Sequence, residues 1–227
     1  MTDTHTNAHP AAHTHAYILL DRTGSMGSIW TEALGSVNAY VEALTQPADG
    51  AKPSEDDKVT LAVFDHHGGL QFDVLRRGVT AANWQKVTDA EASPRGMTPL
   101  FDSIARIVAL AETDQPARAV IVVMTDGHEN ASKEVTKDGA KAALDRARAK
   151  GWEIIFLGAE FGKFSDAEAV GVGGSKSMAM SAGNFDVSMR KLASKSRKYF
   201  EAAESMDFNA EDRKESGEDD VKQRKGS

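Results

Sequence analysis

Apolar positions along this chain arrive in two rhythms that alternate. Tyr17-Ile18-Leu19-Leu20 is a short unbroken apolar run, the pattern of a strand covered on both faces. Trp30, Leu34, Val37, Val41 and Leu44 follow at helical spacing, which predicts an amphipathic helix. Pro47 to Asp57 is polar and reads as a loop, and Val59 to Phe64 as a second strand. His66-His67-Gly68-Gly69 is a turn, and Leu70 to Leu75 returns as a third strand. So short a link makes this pair antiparallel, because a parallel crossover needs a dozen or more residues. Residues 80–88 are expected to form a short helix.

The alternation continues to the far end. Pro99 opens a helix with Leu100, Ile104, Ile107 or Val108, and Ala111 on its inner face; proline suits a first helical turn. Ala119 to Met124 is the most strand-like run in the chain. A helix over 136–150 should stop at Gly151, and Trp152 to Leu157 forms the fifth strand. Residues 164–170 look helical, Lys176 to Met180 reads as a sixth strand, and 182–204 as a last helix. This order predicts an α/β fold, doubly wound in the Rossmann-like manner. Its sheet is mostly parallel, six-stranded, with one antiparallel strand and helices on both faces. The domain is expected over 16–206. Residues 1–15 hold His5, His9, His13 and His15 among small polar residues, and 207–227 is dense in charge. Both are expected to be disordered tails, the first with a conceivable metal-binding role for its histidines.

Composition narrows the class. The 227 residues are 41% hydrophobic, enough for one α/β domain with an ordinary core. No run approaches the roughly 18 apolar residues of a membrane-spanning helix. The first residues lack a basic patch followed by an apolar stretch, so no secretory signal is expected and the location is read as cytoplasmic. There is no cysteine, which removes disulfides, thiolate metal sites and cysteine nucleophiles together. The net charge is −7, of which residues 201–227 carry −4 and 1–15 carry −1, leaving −2 for 16–200. A near-neutral core is not the basic stripe of a nucleic-acid binder, so none is expected as a partner.

In open α/β sheets ligands bind beyond the carboxyl ends of the strands. The first strand is followed by Asp21-Arg22-Thr23-Gly24-Ser25-Met26-Gly27, with oxygen-bearing side chains at alternate positions on one turn. The fourth is followed by Thr125-Asp126-Gly127, and the second long helix is preceded by Arg95-Gly96-Met97-Thr98. Asp21, Thr23, Ser25, Thr98 and Asp126 together are hard oxygen donors, which suits Mg²⁺ or Mn²⁺. Each piece also has a plainer reading. Asp, Thr and Ser cap helices, Thr98 before Pro99 is a good N-cap, and Asp-Gly is a common turn pair. Asp65, after the second strand, reads as a turn or supporting carboxylate.

The joint pattern Asp21-x-Thr23-x-Ser25, then Thr98, then Asp126-Gly127 resembles the metal-ion-dependent adhesion site of von Willebrand factor type A (vWA) domains. The resemblance covers roughly residues 16–200. It implies that Thr23, Ser25 and Thr98 offer hydroxyls to the metal directly and that Asp21 and Asp126 act largely through coordinated water. It further implies that an acidic side chain of a partner protein completes the coordination. Residues 125–132 and 151–159 are also similar to a group of bacterial and phage vWA proteins, which points to a cytoplasmic setting. His128 and Glu129 follow Asp126 on the same loop, either as solvated rim or as part of the partner surface.

Rival functions leave their own marks. Thr23-Gly24-Ser25-Met26-Gly27 nearly fits the nucleophile elbow of a serine hydrolase, but Thr23 replaces its first glycine and the last histidine is His128. An aspartyl-phosphate phosphatase using Asp21 needs a second Asp where Thr23 stands. A non-enzymatic, metal-dependent protein-binding module is the leading expectation. A structural assembly protein whose metal only stiffens the loops is the alternative.

Overall fold

The computed structural model describes residues 13–46, 56–159 and 164–225. Six strands form one sheet: β1 (Thr14–Asp21), β2 (Lys58–His66), β3 (Leu70–Thr80), β4 (Arg118–Thr125), β5 (Glu153–Ala159) and β6 (Ser177–Met180). The spatial order is β3-β2-β1-β4-β5-β6. β2 and β3 pair antiparallel and every other pair is parallel. β1 therefore lies at the point where the order turns back, with β2 on one side and β4 on the other. Its register places Leu20 beside Met124, and Asp21 beside Phe64, so the ends of β1, β2 and β4 come out together.

The helices are α1 (Trp30–Leu44), α2 (Leu100–Asp114), α3 (Lys137–Ala149), α4 (Ser165–Ala169), α5 (Phe185–Ala202), α6 (Ala210–Glu215) and α7 (Glu218–Lys225). Side-chain alternation along β1 feeds two cores. Ala16, Ile18 and Leu20 join one with α1 and α5, while Tyr17 and Leu19 join the other with α2 and α3. With both faces covered, β1 is apolar from Ala16 to Leu20 without a break, as a central parallel strand requires.

The structure departs from the sequence expectation in three places. Residues 80–88 hold only a single 3-10 turn, Ala81–Asn83, followed by extended chain. Asn38 of α1 explains this: its side chain accepts from Trp84 Nε1 at 3.0 Å and Val87 N at 2.9 Å, and donates to Val87 O at 2.9 Å. Backbone groups that a helix would pair internally are taken by a neighbouring element. Second, His15 is inside β1 with 1% exposure, so the amino-terminal tail ends earlier than residue 15. His5 and His9 lie outside the described residues.

Third, residues 207–225, expected as a charged tail, fold against the edge of β6. Met206, Phe208 and Val221 are buried. Backbone bonds fasten the segment on either side of β6: Phe208 N donates to Ser175 O at 2.8 Å and Ser181 N to Ser216 O at 2.9 Å. Glu218, 2% exposed, accepts from Ala179 N and from Arg213, so its charge is matched where it is buried.

Candidate functional site

β1 delivers Asp21 to the carboxyl end of the sheet with no exposed surface. One carboxylate oxygen accepts from Thr23 N at 2.7 Å and the other from Thr125 Oγ1 at 2.7 Å. Burial pushes its pKa up to about 7, against these two donors, and the Asp126 charge adds to the rise. The chain then turns through a short 3-10 segment, Gly24–Ser28, into α1. Thr23 Oγ1 lies 3.1 Å from Ser25 Oγ, and Ser25 Oγ donates to Asp126 Oδ1 at 2.7 Å. The four residues are thus one connected cluster built from the ends of β1 and β4.

Thr98 comes from a third segment. The residue is 3% exposed, and its hydroxyl makes no hydrogen bond among the described residues. It does not cap α2: Pro99 holds the N-cap position with no side-chain cap bond. Gly127 lies between this hydroxyl and the cluster. A Cβ on Gly127 would stand 3.8 Å from Thr98 Oγ1 and 3.9 Å from Ser25 Oγ. Glycine there keeps space open between the two hydroxyls. All five expected donor residues therefore converge on one place, Thr98 through this shared neighbour.

Other residues hold the three loops in position, and apart from Asp65 no spacing in the sequence marks them. Asn130 Oδ1 accepts from Thr98 N at 2.8 Å, while Asn130 N donates to Thr98 O at 3.0 Å. Asp102, 1% exposed, accepts from Lys133, Glu134 and Val135 N at 2.9, 3.0 and 2.7 Å. Arg22 is buried and pairs with Asp65 and Asp73 at 2.5 Å each, and Arg95 approaches Asp65 at 3.3 Å. Asp65 is fully buried, so it supports the loops and does not face outward. Gly96, at φ +69°, carries the Thr98 loop so close to β2 that a Cβ would sit 2.4 Å from His66 O.

The two rim residues expected from sequence part ways. His128 is exposed and its Nδ1 lies 2.9 Å from Asp166 Oδ2. Glu129 turns inward. Its carboxylate accepts from Phe101, Ala131 and Ser132 N at 3.0, 2.8 and 2.7 Å and from Ser132 Oγ at 2.7 Å. It satisfies a free donor in the first turn of α2 and fastens its own loop. Met97, 50% exposed beside Thr98, stands on the rim in its place. Of the rim signals only an apolar residue next to the expected hydroxyl was available, and spacing does not separate an exposed Met from a buried one.

The donor chemistry fits a hard divalent cation. Three hydroxyls and two carboxylates meet with no imidazole or thiolate in the set, and octahedral oxygen coordination is what Mg²⁺ and Mn²⁺ favour. Among the described residues no group of three or more His, Cys, Asp or Glu is placed to hold a metal, so any cation here depends on the hydroxyls.

The family model for the von Willebrand factor type A domain matches residues 16–212. No curated protein matches the sequence. Among solved structures, the open conformation of the pilus adhesin SpaC from Lactobacillus rhamnosus GG superposes with a TM-score of 0.66 at 12% identity, covering 85% of this chain and 31% of that one. The von Willebrand factor domain of the type V pilus tip protein from Porphyromonas gingivalis gives 0.61 at 11% identity, over 87% of this chain and 98% of that one. A von Willebrand factor type A protein from Catenulispora acidiphila gives 0.51 at 17% identity, over 82% and 43%. The chain spans about a third of the adhesin's length.

Proposed function

Because this chain belongs to the von Willebrand factor type A domain family, we propose that it is a protein-binding module whose strand-end cluster holds Mg²⁺ or Mn²⁺ and presents it to an acidic side chain of a partner protein. Ser25, Thr23 and Thr98 supply hydroxyls, and Asp21 and Asp126 supply negative charge. A cation held there offers an open coordination position to a carboxylate oxygen.

The observation that carries the reading is the free Thr98 hydroxyl beside Ser25 and Gly127. This hydroxyl has no partner among the described residues and lies beside the exposed Ser25, so it is available to a ligand at the cluster. The structural alternative is disfavoured by the loops themselves. Asn130, Asp102, Glu129 and the Arg22–Asp65 pair already tie all three segments together, so a cation is not needed to stiffen them. Its role is then outward, where Met97, Ser25 and His128 are exposed.

Hydrolase readings fare worse. Ser25 gives its hydrogen bond to Asp126, not to an imidazole, and both oxygens of buried Asp21 are already engaged. A non-enzymatic role and a cytoplasmic location remain part of this proposal.

Capture of partner proteins with and without Mg²⁺, on wild type, Asp21→Ala and Thr98→Ala, tests it. The proposal expects Mg²⁺-dependent capture that both variants lose. Thr98→Ala should do so with an unchanged melting temperature, since no cap bond is removed. Full capture by Thr98→Ala alongside loss in Asp21→Ala assigns the metal to the loops instead.

A further inference from the structure

A cavity that the strand-end cluster does not use lies at the opposite end of the sheet, roughly 20 Å along β1 from Asp21 at about 3.3 Å per residue. It is an open cleft of about 350 Å³ lined by His13, His15, Lys58, Arg77, Gly78 and Asp114. Lys58 has no ion pair among the described residues. Arg77 donates to Asp114 Oδ1 at 2.8 Å, and Tyr17 OH donates to Oδ2 at 3.2 Å. Both Asp114 oxygens therefore already face donors. With Arg77 balanced by Asp114, the charge left over in the cavity is positive.

His15 adds a second, independent sign. Its ring is 1% exposed, stacked on Tyr17 at 4.0 Å, and Nδ1 has no hydrogen-bond partner. Nε2 lies 2.8 Å from Thr60 Oγ1, which also accepts from Gly78 N at 2.9 Å. With one of its lone pairs taken by Gly78 N, the hydroxyl is free to give its single hydrogen to His15 Nε2, in the tautomer in which Nε2 accepts. Nδ1 then carries the ring proton. A buried N–H without an acceptor sits in the wall of a cavity with surplus positive charge, a combination that an entering anionic oxygen resolves.

We propose that this cavity is an oxyanion site that takes the tetrahedral head of phosphate or of a phosphate monoester, held by Lys58, the outer nitrogens of Arg77 and the His15 Nδ1–H. Gly78 suits such a floor, because a Cβ there would stand 3.7 Å from His15 Cε1 and narrow the cavity. The volume exceeds what a bare oxyanion fills, which leaves room for the group that carries it.

The test uses the full chain without divalent cations, so that the strand-end cluster does not contribute. Inorganic phosphate and, separately, phenyl phosphate are titrated against chloride at constant ionic strength. The Gly78 amide and the His15 ring nitrogens are followed by NMR. A saturable shift at both is expected. Affinity should fall by about tenfold or more in Lys58→Gln and in Arg77→Gln, the loss of one charged hydrogen bond. Arg106→Gln, exposed on α2, should bind as wild type does. Tighter binding of phenyl phosphate identifies a monoester as the ligand, and equal binding identifies the free anion. Shifts absent with both anions, or a similar weakening in Arg106→Gln, would overturn the proposal.

Discussion

Thr98 was expected to meet a cation directly and Asp21 largely through water, and the structure holds the two by opposite means. Asp21 is buried with both oxygens occupied, and its support comes from Thr125, 104 residues away in the chain. Thr125→Val keeps the shape and removes that donor, leaving the carboxylate short of a hydrogen bond. It should lower stability by about 1–3 kcal/mol in urea unfolding. That these five residues come together could be read from the sequence because each follows a recognisable strand or precedes a helix. Thr125, Asn130 and Asp102 could not, since what they fasten is fixed only by the folded arrangement of loops.

His15 gives a pH prediction at the same scale. Burial lowers its pKa from 6.5 to about 3, so the folded chain keeps it neutral. Above pH 6.5 both states are neutral and the group is silent. As pH falls from 6.5 toward 3 the unfolded state takes up the proton first, and stability declines by up to about 1.4 kcal/mol per pH unit. Asp21, raised to about 7, contributes in the opposite sense in this window, so the His15 slope is read as the difference between wild type and His15→Asn in urea unfolding at pH 7.5 and pH 5.

Among the elements, those with strong periodicity were legible and those organised by distant partners were not. The rhythm of α1, α2 and α5 and the unbroken runs of β1 and β4 are written locally, because one residue's burial implies its neighbours'. Segment 80–88 instead answers to Asn38, and α7 has one buried apolar residue, Val221, in an otherwise polar helix. Its seat depends on Glu218 meeting Ala179 N and Arg213, a pairing that periodicity does not record. The carboxyl-terminal segment covers the edge of β6, and an uncovered edge invites association with other strands. Phe208→Ala should therefore lower stability by about 3 kcal/mol, read by chemical denaturation. It should also raise light scattering on heating. Unaltered stability would return this segment to the status of a tail.

For the whole molecule, the order of strands decides where chemistry is placed. β1 is central, and its carboxyl end meets those of β2 and β4 at the point where the order reverses, the usual site for ligands in such sheets. That placement follows from chain topology, and it was legible before any side chain was positioned. The central claim is that this point holds one divalent cation through Asp21, Thr23, Ser25, Thr98 and Asp126. Its most direct measurement is calorimetric titration of Mg²⁺ and Mn²⁺ into wild type and Asp21→Ala. The account predicts a single saturable site in wild type. Saturation at a hundredfold excess over the dissociation constant should raise stability by about 2.7 kcal/mol, and Asp21→Ala should lose both the heat and the stabilisation. Equal binding by the two proteins, or no saturable binding of either metal to wild type, would contradict it.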